Sequence, residues 1–208
     1  MSKANTHIIF DLGNVLIDIH PEATMEALAA SCEGNPEEIR RFFLSPAHLS
    51  YMTGEIDSAA YYRAFCEQHR CTLDFAGFST IWNRLIGTPR TLLGALAAQL
   101  SAGYTLSVCS NTDPLHWETA RRRCGFMSYF SHFFLSFEMG CRKPAPEIYR
   151  KMLTVLAAAP EQCIFIDDTA ENIRSARALG FRTIHSNTPE DIRQQLLSLL
   201  ETANKFRG

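Results

Sequence analysis

The chain has 208 residues, 46% of them hydrophobic and 20% charged, with a formal net charge of -2. That length supports one large domain or a core with a smaller inserted one, and the balanced charge gives no basic excess to hold a nucleic acid; the run Arg121-Arg122-Arg123 reads as a solvated helix face. No apolar stretch is long enough to span a membrane, and Met1-Ser2-Lys3-Ala4-Asn5-Thr6 lacks the apolar segment of a signal peptide, so a soluble, cytoplasmic protein is expected.

The first element is the stretch from His7 to Leu16. A strand-length apolar run ends on Asp11, and Gly13 follows two residues later. A short continuous apolar run marks a buried parallel strand. In an open α/β sheet, ligands sit outside the carboxyl ends of the strands. Asp11 is therefore placed where chemistry happens, and Gly13 lets the backbone bend tightly beside it.

Asp18-Ile19-His20-Pro21-Glu22 then signals a helix start that Ala23 to Ala30 continues, and Asn35-Pro36-Glu37-Glu38 starts a second helix running to Leu44. Asp57 or Ser58 caps a third helix through Tyr61, Tyr62 and Phe65. A fourth covers Phe75 to Leu85. With no convincing strand among them, residues 19–86 read as a small helical bundle inserted in the sheet domain.

Gly87-Thr88-Pro89-Arg90 marks the return, and Thr91 to Leu100 is helical. Strands then alternate with helices. The strands are Tyr104 to Cys109, His132 to Ser136, Cys163 to Ile166 and Phe181 to His185. The helices are Pro114 to Arg123, Ala145 to Ala157, Glu171 to Leu179 and a terminal one from Pro189 whose end frays. This alternation predicts a Rossmann-like parallel sheet with helices on both faces. The core is expected from residues 1–18 and 87–208. The seven cysteines are odd in number and lack CxxC spacing, so neither a disulfide framework nor a zinc site is expected, and reduced thiols are.

Four polar groups fall at equivalent strand ends: Asp11; Ser110-Asn111-Thr112; Arg142-Lys143-Pro144; and Asp167-Asp168. Neighbouring carboxylates repel unless a cation lies between them. Oxygen ligands of this kind suit Mg²⁺, which takes one or two carboxylates, waters and substrate phosphate. The Gly13 carbonyl can add an oxygen, a lysine and a hydroxyl can hold phosphate oxygens, and one carboxylate is left to act as nucleophile.

These four segments, in this order, resemble the motifs of the haloacid dehalogenase-like (HAD) hydrolase superfamily across nearly the whole chain. The resemblance implies a nucleophilic Asp11, Ser110 with Asn111 for phosphate oxygens, and Lys143 as the third motif. Asp168 matches the main metal ligand, Asp167 assists, and Asn172 stands where many members have a further acid. The helical segment resembles the family's α-helical cap. The implied activity is Mg²⁺-dependent hydrolysis of a small phosphorylated metabolite through an aspartyl-phosphate. Phe10-Asp11-Leu12-Gly13-Asn14-Val15 is similar to a bacterial branch that includes sugar-phosphate phosphatases.

One position departs from the family. Gly13 stands where most family phosphatases carry a second Asp, which protonates the leaving oxygen. Three readings stay open: a phosphatase for easy leaving groups, a dehalogenase, or a phosphate-binding protein without turnover. The Asp167-Asp168 pair argues against dehalogenation, because the family's dehalogenases do not need the metal. Asp18 and His20 are candidates to replace the acid. His48, Tyr51 and Trp82 are candidates for contact with substrate. The sequence assigns neither the substrate nor the oligomeric state.

Overall fold

The computed structural model describes residues 6–33 and 35–205. The leader expectation rests on Met1 to Asn5, outside those residues. The chain runs through β1 (His7–Phe10), β2 (Ile17–Ile19) and the helices α1 (Pro21–Ala29), α2 (Pro36–Phe42), α3 (Pro46–Met52), α4 (Ser58–His69) and α5 (Phe75–Trp82). It returns through β3 (Ile86–Pro89) and α6 (Thr91–Leu100). Then follow β4 (Thr105–Ser110), α7 (Pro114–Arg123), β5 (His132–Leu135), α8 (Ser136–Met139) and α9 (Pro146–Leu156). The last elements are β6 (Cys163–Asp167), α10 (Ala170–Ala178), β7 (Arg182–His185) and α11 (Pro189–Lys205).

Five strands form one parallel sheet in the order β5-β4-β1-β6-β7. The central strand β1 is apolar on both sides because both faces are covered. Alternate residues go to opposite faces: Ile8 and Phe10 join Leu93, Leu96, Ile192 and Leu196 from α6 and α11, while Ile9 joins Tyr149, Met152 and Ile173 from α9 and α10. The register aligns Phe10 with Val108 on one side and Ile166 on the other. Asp11 and Asp167, each one residue further on, therefore emerge side by side, with Ser110 at the adjoining end of β4.

The helices between β2 and β3 have their own aromatic core, in which Phe42, Tyr61, Phe65, Phe78 and Trp82 are buried. Side-chain oxygens of Asn35, Ser45, Asp57 and Asp74 cap α2, α3, α4 and α5, accepting the backbone N–H groups that each first turn leaves free.

The structure corrects three expectations. First, the described residues of the insertion form five α-helices, not four. The extra one, α3, carries its own start signal, Ser45 as N-cap with Pro46 in the first turn. Second, the insertion is bounded by a two-stranded ribbon in which β2 pairs antiparallel with β3. Strands this short show no readable alternation. Third, not every thiol is free: Cys32 and Cys71 form a disulfide across 39 residues of sequence. Packing of the helices brings their two loops together, which spacing alone does not reveal. No helix among the described residues is long and apolar enough to cross a membrane.

Candidate active site

At the carboxyl edge of the sheet, Lys143 is buried and all three of its ammonium protons have acceptors. Nζ lies 2.8 Å from Asp11 Oδ1, 2.7 Å from Asp167 Oδ2 and 2.9 Å from the Cys109 carbonyl. Burial alone would lower the lysine's pKa, but the two carboxylates outweigh it and hold it raised. Burial pushes Asp11 up to about 7, against the pull of the Lys143 ammonium. Both protein contacts of Asp11 fall on Oδ1, which also accepts from the Leu12 N–H at 2.6 Å. Oδ2 is the oxygen left for a ligand.

Lys143 is held from two sides. The Asn111 carboxamide closes a ring with the Lys143 backbone: its amide donates to the Lys143 carbonyl and its oxygen accepts from the Lys143 N–H, each at 2.8 Å. Asp167 is fixed in turn by the Asn172 amide, 3.0 and 3.1 Å from its two oxygens, and by the Thr169 N–H at 2.8 Å. Asp168, more exposed, accepts from the Asn14 amide at 3.1 Å. Asn14 has a left-handed backbone with φ 54°, which Asn tolerates better than most residues, and the turn it makes places its amide there. Arg90 donates to the Asn14 carbonyl, the Asn187 carbonyl and Asp18.

Two cavities meet at this edge. A polar one of about 290 Å³ is lined by Asp11, Asn14, Lys143, Asp168 and Thr169. A second, about 190 Å³, lies against the inserted helices and is mainly apolar. Gly13, Ile19, Ser110 and Asn111 line both.

One wall of the second cavity is a closed polar network. Asp113 is fully buried, and Oδ1 accepts from the Leu115 and His116 backbone N–H groups at 3.0 Å and from the Tyr51 hydroxyl at 3.1 Å. Its Oδ2 accepts from the Trp82 indole at 3.1 Å and lies 2.6 Å from His116 Nδ1. Burial would raise the Asp113 carboxyl, but His116 and these donors hold it below the usual range. His116 Nε2 lies 2.9 Å from the Trp82 carbonyl. Both ring nitrogens of His116 therefore face an oxygen.

Asp11, Ser110, Asn111, Lys143, Asp167, Asp168 and Gly13, read from sequence as one set, are thus brought together at one edge. His48 and Trp82 line the second cavity, and Tyr51 belongs to its network. Asp18 and His20 line neither cavity, and Asp18 is paired with Arg90 at 2.8 Å. Sequence reasoning assigned no role to Asp113 or His116. The signal was present: an Asp before Pro114 with a His three residues on, in the first turn of α7.

Oxygens of Asp11, Asp167 and Asp168 lie within 4.8 Å of one another, and a set of oxygen donors alone fits a hard divalent cation. The profile of the haloacid dehalogenase-like hydrolases matches residues 6–180. The chain belongs to this family. A D-ribitol-5-phosphate phosphatase of Bacteroides thetaiotaomicron is 22% identical over 94% of this chain and 98% of its own length. A HAD family enzyme of the same organism, solved with magnesium and inorganic phosphate, matches with a TM-score of 0.79 and 26% identity over 86% of this chain and 93% of that one. The L-2-haloacid dehalogenase of Xanthobacter autotrophicus shares the fold, with a TM-score of 0.63 and 20% identity over 93% of this chain and 82% of that one.

Proposed function

We propose that this HAD hydrolase is a Mg²⁺-dependent phosphatase that cleaves a small phosphorylated metabolite through an aspartyl-phosphate. The observation that carries the reading is the buried Lys143 ammonium held 2.8 Å from Asp11 at the strand ends, with Ser110 and Asp168 around the same cavity. Asp11 Oδ2 attacks phosphorus, and the bond to the leaving oxygen breaks with its electron pair. Water then cleaves the acyl-phosphate, regenerating Asp11 and releasing inorganic phosphate. Lys143 and Ser110 neutralise and orient the phosphoryl oxygens. Asp11, Asp168 and the Gly13 carbonyl would hold the cation, which when bound supplies further neutralisation of phosphoryl charge. Asp167, whose oxygens are met by Lys143, Asn172 and Thr169, serves to position Lys143. Asn111 does the same from the other side. Residues 19–86 act as the cap over a core formed by residues 1–18 and 87–208, and the closed cap excludes bulk water from the reaction.

The relative solved with magnesium and phosphate supports the metal, and the ribitol-phosphate phosphatase supports a small phosphoester. Gly13, without a carboxyl group, favours a second reading, in which phosphate is bound but not turned over. One assay separates them. The purified protein with Mg²⁺ should hydrolyse an activated phosphomonoester, and chelation or Asp11→Asn should abolish this. Tight phosphate binding without hydrolysis of any ester would give the second reading the field.

A further inference from the structure

Because Gly13, Ile19, Ser110 and Asn111 line both cavities, an ester with its phosphorus at Asp11 puts its organic group in the second one. We propose that this cavity receives the leaving group and that the group is one compact, uncharged aryl ring, so that the substrate is a phosphate ester of a small phenol. The inference rests on the phosphatase reading above and names its substrate class.

Three features of the cavity carry it. The walls are apolar, with Leu12, Ile17, Phe43, Met52, Trp82 and Ile86 among them, and no lysine or arginine lines the space. Most polar groups of the wall are committed: Asp113 meets five polar groups and both nitrogens of His116 face oxygens, which leaves Ser110 and His48 as the polar side chains able to meet a ligand. The several hydroxyls of a polyol would leave water here for too few partners, and a second anionic group would meet no lysine or arginine. Finally, the volume of about 190 Å³ is that of a one-ring site; an apolar cavity of about 150 Å³ holds benzene. The half-buried Phe43 ring, backed by Trp82 with centroids 5.1 Å apart, offers an aromatic surface to such a ring.

The chemistry of departure agrees. No carboxyl group with an uncommitted proton lines this cavity, and burial keeps the His48 imidazole neutral near pH 7. When Asp11 attacks, the phosphorus–oxygen bond breaks and phenolate leaves with the electron pair, taking its proton from water. An alkoxide would need a proton delivered as it left. Gly13 also serves as the doorway, since a Cβ there would press within 3.3 Å of Ile19 Cγ2, between the two cavities.

Phenylphosphonate, methylphosphonate and inorganic phosphate test this, each titrated against the protein with Mg²⁺. The phosphonates are not hydrolysed, so their affinities separate pocket from leaving-group reactivity. Phenylphosphonate is expected to bind about tenfold or more tightly than methylphosphonate. Met52→Gln, similar in length but polar, should remove most of that difference and leave inorganic phosphate binding unchanged. Phe43→Gln, at a half-buried position, carries the same expectation if Met52→Gln does not fold. Equal affinities for the two phosphonates overturn the proposal, as does a lower KM for ribitol 5-phosphate than for phenyl phosphate. Failure to bind inorganic phosphate would instead overturn the phosphatase reading, and this inference with it.

Discussion

The two cavities at the sheet edge use polar residues in opposite ways. In the polar one, Asp11, Asp168 and Ser110 line open space with oxygens left over after their protein contacts, while Asp167 and the Asn111 and Asn172 carboxamides are tied down. In the cap cavity, Asp113, His116 and Tyr51 are satisfied by one another. Both sets are buried, but the first keeps acceptors for a ligand and the second spends them on joining α3, α5 and α7. A buried charge marks a reacting group only when its partners leave part of it free.

Variants should divide along that line. The largest effect is expected at the nucleophile: Asp11→Asn should lower kcat by about 10³-fold or more, while unfolding in urea changes little by comparison. Activity within tenfold of wild type would erase the distinction between the cavities. Asp113→Ala should do the reverse. It strands the Trp82 indole and His116 Nδ1, and breaking a buried pair typically costs about 3–5 kcal/mol of stability. Denaturant midpoints read this directly, and an unchanged midpoint would show that the network contributes nothing.

A smaller effect concerns pH. Burial pushes His48 down to about 4 from 6.5. Between those values the unfolded chain binds a proton that the folded one does not, so stability rises with pH across the window and is lost as pH falls through it. The effect is at most about 3 kcal/mol. His48→Gln should flatten the dependence of Tm on pH from 6.5 to 4; an unaltered slope would assign it to other groups. The smallest change is at Asn172, whose amide is engaged by the Asp167 carboxylate. Asn172→Ala should cost about tenfold in kcat by loosening Asp167 and, through it, Lys143, and Asn172→Asp should not fully restore it. An effect as large as that of Asp11→Asn would place Asn172 in contact with substrate.

The open set was legible in the sequence and the closed one was not. Asp11, Ser110 and Asp167 each end an apolar run, so one local pattern and the rule for strand ends locate all three. Lys143 lies beyond β5 rather than at its end, and was placed with them as the polar group that follows that strand. Nothing comparable announces Asp113, because its partners Tyr51 and Trp82 come from helices whose docking no local pattern predicts. The β2–β3 ribbon and the Cys32–Cys71 pair escaped for the same reason. Asn111 was read for phosphate oxygens, and no local pattern shows that its carboxamide also pairs with the Lys143 backbone.

The Trp82 contacts also give the molecule a built-in optical gauge. Its ring is stacked on His116 at 4.8 Å while its N–H bonds Asp113, so a cap residue rests on two groups of the core. Indole emission responds to a neighbouring imidazole ring and to water, and separating α5 from α7 would change both at once. Trp117, the other tryptophan of the chain, packs instead on Phe133 within the core and should stay constant. The difference between the two fluorophores would then follow cap opening during turnover with no label attached.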